Sequence, residues 1–234
     1  MEKNFRLNKM IGIFLVIGSS LLLIPYTILS ITFEYPKILR QDPSIILTKF
    51  YEGGSELIFL WWSFSMVGLP LLFAFSLIGK KFTQYPLVTV ATNIGIIGLI
   101  TQMIGLLRWT FIVPILSQTY ITGDSIQKEI SIQNFRVIHQ LGGVILGEHI
   151  GQIFTIIWTI IICYHLHSNS YIDKKMMILG YLASFIYIFA QLELIATIIP
   201  NFPVIKFAGF IGSTLWLVWM ILIGIIFIKK KENL

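Results

Sequence analysis

The chain has 234 residues, 56% of them hydrophobic and only 12% charged, with 17 lysines and arginines against 11 aspartates and glutamates. A soluble domain carries about a quarter charged residues to face water, so an ordinary soluble globule is excluded. Abundant apolar residues and 14% aromatics likewise exclude a disordered or collagen-like chain.

Windows without any charge stand at 10–33, 57–79, 82–107 and 207–228, and windows 137–172 and 176–205 contain one acid each, Glu148 and Glu193. About 20 residues at 1.5 Å rise cross roughly 30 Å of hydrocarbon. The expected fold is therefore all-α, an integral membrane bundle of six transmembrane helices forming one domain over 1–234. Its spans are expected at about 10–33, 56–79, 86–108, 137–164, 176–199 and 205–228.

Lys3, Arg6 and Lys9 precede the first apolar run as in a signal peptide. That run is too long for one and offers no small-residue cleavage site near Ile28 to Phe33, so it reads as a retained first span. In the first connection, Asp42-Pro43 is a helix-start pair and Gly53-Gly54 a stop. Between them Ile45, Ile46, Leu47 and Phe50 recur at helical spacing. This predicts a short amphipathic helix lying at the outer surface.

Trp61 and Trp62 in the second span, and Trp109 in the third, fall near the outer boundary and fit an interfacial aromatic belt. Gln102 in the third span has Gly95, Gly98 and Gly105 beside it, which allows close packing there. The second outer connection, Ser117 to Asn134, is polar, turns at Thr122-Gly123-Asp124 and leads as a short helix into the fourth span.

The fourth span holds the most informative stretch, His139 to Gln152. At 100° per residue, Gly143, Gly147 and Gly151 line one side and invite another helix to pack closely, while Glu148, Gln152, Thr155 and Thr159 line another. If the span enters at Val137, Glu148 lies about 16 Å deep, at the bilayer midplane, where an ionisable group costs roughly 2.5–3.5 kcal/mol. Such an acid is expected to pair with a base or serve function. Arg108 and Arg136 are the expected partners of Glu148 or Glu193, unless they only reach outward to headgroups.

Lysine and arginine counts orient the chain. With the N-terminus inside, inner segments hold Lys3, Arg6, Lys9, Lys80, Lys81, Lys174, Lys175, Lys229, Lys230 and Lys231, against Lys37, Arg40, Lys49, Arg108, Lys128, Arg136 and Lys206 outside. Both termini are therefore expected to be cytoplasmic. The basic residues cap spans instead of forming one patch, so the lipid bilayer and not nucleic acid is the expected partner.

The polar residues of the outer half, Arg108, Arg136, His139, Glu148, His149, Gln152 and Glu193, define a candidate ligand-binding pocket opening outward. His139 and His149 share one helix, which argues against a haem clamped between them, and no metal-ligand spacing is present. No cofactor is implied.

Five blocks resemble a bacterial family of multi-pass membrane proteins catalogued as domain of unknown function 4386. They are Glu34 to Arg40, Gly53-Gly54 through Trp61-Trp62, Leu107 to Pro114, His139 to Gln152 followed by Trp158, and Leu192 to Pro203. The resemblance implies a multi-pass protein of the bacterial cell membrane and supplies no reaction. Three functions stay open: binding or transport of a small polar, anionic or lipid-headgroup ligand; an embedded enzyme with Glu148 as acid or base; and a structural or regulatory role.

Overall fold

The computed structural model describes residues 2–230; Lys231 and Glu232, two of the charges counted for orientation, lie outside them. The helices are α1 (Glu2–Thr32), α2 (Pro43–Glu52), α3 (Gly54–Met66), α4 (Leu69–Lys81), α5 (Pro86–Phe111) and α6 (Val113–Thr122). They continue with α7 (Ser125–Ile138), a π-helical segment (His139–Ile150), α8 (Gly151–Ser168), α9 (Lys174–Ile188), α10 (Ala190–Ala196) and α11 (Ala208–Lys229). A 3-10 turn, Lys37–Arg40, lies in the first connection. No strand occurs among the described residues.

These elements form six rods long and apolar enough to cross a membrane, Asn4–Thr32, Gly54–Lys81, Pro86–Thr122, Ser125–Ser168, Lys174–Ala196 and Ala208–Lys229. The chain is a multi-pass membrane protein. Two rods are stepped where a proline removes a backbone donor: Pro70 opens α4, and Pro114 opens α6. The third and fourth rods are much longer than the stretches 86–108 and 137–164 that the charges bracket.

Rods adjacent in sequence are adjacent in space, and α11 closes the ring against α1. At that closure the helices nearly touch backbone to backbone, since a Cβ on Gly224 would come 2.9 Å from the Gly12 carbonyl. Side chains inside the ring fill two layers. At the end bearing Lys80, Lys81, Lys174, Lys175 and Lys229, here the lysine end, the core centres on Leu15, Phe75, Trp158, Trp219 and Phe227. Toward the other end, here the capped end, it centres on Phe33, Phe50, Trp61, Trp109 and Phe135.

Helix α2 closes the capped end. Asp42 accepts from the Ser44 backbone N–H at 2.8 Å and Pro43 starts the helix, as the sequence predicts. Gly54, with φ +53, supplies the left-handed step into α3 and has open space where a Cβ would stand. Its apolar face does not lie open at a surface: Ile46, Leu47 and Phe50 are buried against Phe33, Trp109 and Val113, and α2 packs on α6 and α7. The aromatic belt also needs correction. Trp61 and Trp109 are fully buried and stacked at 4.8 Å, leaving only Trp62 exposed. Burying two indoles in the core outweighs an interfacial position for them.

Candidate functional site

Three charged side chains from three segments meet toward the capped end, and a fourth, Arg108, lies within electrostatic reach of them. Arg40, at the end of the 3-10 turn, donates from Nη2 to Glu148 at 2.6 Å and from Nε to Glu193 at 3.0 Å. The bridge therefore ties the first connection to the π segment and to α10. Glu148 is 21% exposed and Glu193 47%, so the bond to Glu148 is the better shielded. Burial works against the charge on Arg40, and the two carboxylates more than offset it, holding the guanidinium above its ordinary value.

The expected pairing of Arg108 or Arg136 with these acids is not what forms. Arg136 is exposed and makes no ion pair among the described residues. Arg108 is only 5% exposed, donates from Nη1 to the Gly105 carbonyl, lies over the Trp109 ring at 5.0 Å and approaches His139 Nδ1 to 3.5 Å from Nη2. Its position in the last turn of α5 sets it against the negative end of that helix. It lies within electrostatic reach of Glu148 and Arg40 without touching either.

The partner of Glu148 comes from a loop because the loop is at its level. Arg40 follows α1 by eight positions and belongs to no span, so a direct bond to it places Glu148 near the end of the spans. From Ser168 at the lysine end, twenty residues at 1.5 Å put Glu148 about 30 Å away. Glu148 thus stands at the level of the first connection, about 30 Å of helix from the lysine end.

The backbone at this level is irregular. His139–Ile150 is π-helical, with i→i+5 bonding and a wider turn than the α-helix on which the stripe was drawn. Glycines make the arrangement possible: a Cβ on Gly143 would meet Arg108 Nη2 at 2.6 Å, and one on Gly105 would meet the Gly142 carbonyl at 2.6 Å. The glycines do pack closely, as expected, against α5.

The other predicted residues fall into two groups. His149 shares a hydrogen bond of 2.7 Å through Nδ1 with Gln191 Oε1, and Gln191 donates to Gln152 Oε1 at 2.8 Å, linking the π segment, α8 and α10. His139 instead lies buried under the cap, stacked on Phe135 at 5.2 Å. Gln102 joins a separate chain, donating to Thr155 Oγ1 at 2.9 Å, while Thr159 accepts from Trp216 Nε1 at 2.8 Å.

Arg40 is the residue that sequence reasoning missed. Its only signal was membership of the Glu34 to Arg40 block. Tyr35, from the same block, packs edge-on against Trp61 at 5.3 Å. Tyr35 is half-buried; burial first, then the charge of Glu148, hold its hydroxyl above its ordinary value, so it stays protonated.

Six apolar rods with a charge cluster at one end define a multi-pass integral membrane protein. The chain belongs to the family described as domain of unknown function (DUF4386), whose model matches residues 10–224. No curated protein and no solved structure matches it.

Proposed function

We propose that this protein is a ligand-binding membrane protein, taking a small polar, anionic or lipid-headgroup ligand at the capped end of the bundle, the end that faces outward by the lysine count. One observation carries the reading: charge and backbone irregularity coincide. Arg40, Glu148 and Glu193 stand respectively on a 3-10 turn, a twelve-residue π segment and the short helix after the break at Phe189. Regular α-helix would satisfy the backbone at lower cost, and π turns recur at functional sites. A polar lock between two helices would need one pair of charges and no such backbone.

Engagement of Glu148 by a guanidinium at 2.6 Å suits charge recognition better than proton transfer. The test is native mass spectrometry of the protein extracted with its lipids. A bound small molecule or lipid is expected on wild type and lost or strongly reduced in Glu148→Gln; identical bare spectra for both would overturn the reading.

A further inference from the structure

Two ammonium groups fold back onto one aromatic ring at the lysine end. Lys81, the last residue of α4, and Lys230, just past α11, hold Nζ at 5.3 and 4.4 Å from the centroid of the Tyr171 ring, which lies in the connection between α8 and α9. The ring is anchored: it meets Phe82 edge-on at 5.1 Å and Phe227 at 5.4 Å, and both phenylalanines are buried. Lys230 also donates to the Ser170 carbonyl. Three segments distant in sequence thus hold two like charges together.

Lysines that merely end a span reach out to water. Lys80, Lys174, Lys175 and Lys229 do so and are exposed, whereas Lys81 and Lys230 are half-buried. Attraction to the face of the ring favours this placement. Repulsion opposes it: burial first, then the charge of Lys81, hold the Lys230 ammonium below its ordinary value. No carboxylate pairs with either lysine among the described residues. Asp173, the acid of this connection, is engaged elsewhere, accepting from the Met176 backbone N–H at 2.8 Å as the cap of α9. An ammonium carries three donors, so after Ser170 is served the pair still lacks acceptors and lacks negative charge.

We propose that Lys81, Tyr171 and Lys230 form a docking site for the headgroup of an anionic phospholipid in the leaflet at the lysine end. The length of α11 sets the level. Its 22 residues reach about 33 Å, close to the thickness of the hydrocarbon, so Lys230 falls where acyl chains give way to phosphates. Lysines in that zone gain from anionic lipid, and tyrosine is at home there. A lipid phosphate accepts from the ammonium groups and relieves the repulsion between them. This site lies at the opposite end from Arg40 and Glu148 and does not rest on the ligand-binding reading of the capped end.

The probe is phosphatidylglycerol, an anionic lipid, titrated into delipidated protein in neutral detergent at constant ionic strength, beside phosphatidylcholine with the same acyl chains. The thermal unfolding midpoint is the readout. A saturable rise is expected with phosphatidylglycerol and little with phosphatidylcholine. The half-maximal concentration should increase about tenfold or more in Lys81→Gln/Lys230→Gln. Lys174→Gln/Lys175→Gln removes the same charge from exposed positions at the same end and should respond as wild type does. If the first double variant fails to fold, Lys81→Gln alone, at a side chain that makes no hydrogen bond among the described residues, is expected to weaken the response in the same direction. Equal weakening in Lys174→Gln/Lys175→Gln would reduce the effect to the general charge of this end and overturn the site. Equal responses to the two lipids, or a response to inorganic phosphate matching that to phosphatidylglycerol, would overturn it as well.

Discussion

At the scale of single residues, the two bonds of Arg40 should differ in worth. Glu148 is the more enclosed acid and makes the shorter bond, whereas Glu193 is nearly half exposed and screened by water. Glu148→Gln is expected to cost about 1–3 kcal/mol, less than the 3–5 of a fully buried pair because Glu193 still holds the guanidinium. Glu193→Gln should cost at most about 1 kcal/mol. Unfolding midpoints of the two variants in one detergent check the order; equal losses, or a larger loss for Glu193→Gln, would sink it. Much of this was legible beforehand, since an acid inside an apolar window announces itself through its desolvation cost. Its partner was not legible. Arg40 sits in a connection, where a charge needs no explanation, and nothing in its spacing says that the 3-10 turn folds back over the spans.

At the scale of elements, periodicity worked where the helix is regular and lost precision where it is not. The capping residues of α2 could be read directly, as could glycine packing between the third and fourth spans. The facing of side chains within His139–Ile150 could not, because a π turn advances each residue by a smaller angle than the 100° assumed. Glycine substitutions separate the close contacts from the casual ones. A Cβ on Gly105 would strike backbone, the Gly142 carbonyl at 2.6 Å and Gly147 Cα at 2.8 Å, and neither can swing aside. Gly105→Ala is expected to lose about 3 kcal/mol or more, at the upper end of overpacking costs. On Gly209 the nearest atom is Ala190 Cβ at 3.5 Å, so Gly209→Ala should be neutral or gain up to about 1 kcal/mol of helix propensity.

The first connection has its own pH dependence. Lys49 pairs with Glu34, and through that hydrogen bond and its charge holds the Glu34 carboxyl below its ordinary value. Ser44, through its hydroxyl and backbone N–H, does the same for Asp42. Depressed carboxylates stabilise the fold above their unfolded-state values, and that contribution is lost as pH falls through the folded-state values. Acidification below the ordinary carboxylate range, about pH 4, should therefore loosen α2 while the apolar ring persists. Amide hydrogen exchange would register faster exchange in 43–52 with little change in α9 or α11; uniform protection across the pH range would contradict it.

For the whole molecule, rod length decides what stands outside the membrane. At 1.5 Å per residue the 37 residues of Pro86–Thr122 and the 44 of Ser125–Ser168 reach about 56 and 66 Å, roughly twice the hydrocarbon thickness. Tilt of about 20° shortens these by only a few ångströms. With one end of each rod fixed by Lys80, Lys81, Lys174 and Lys175, the excess emerges at the capped end, where α6 and α7 form a projecting hairpin. The sequence marked this region as a polar connection because charge tells where a span can end, not where its helix does. We propose from the lysine count that this hairpin lies outside the cell and the lysine end in the cytoplasm. Cysteine labelling measures this cleanly, because the native Cys163 is buried. A membrane-impermeant maleimide should label Thr122→Cys on intact cells and Ser168→Cys only after permeabilisation. The reverse pattern would invert the bundle and put the Arg108 and Arg40 cluster on the cytoplasmic side, where any ligand would have to be a metabolite or an inner-leaflet headgroup.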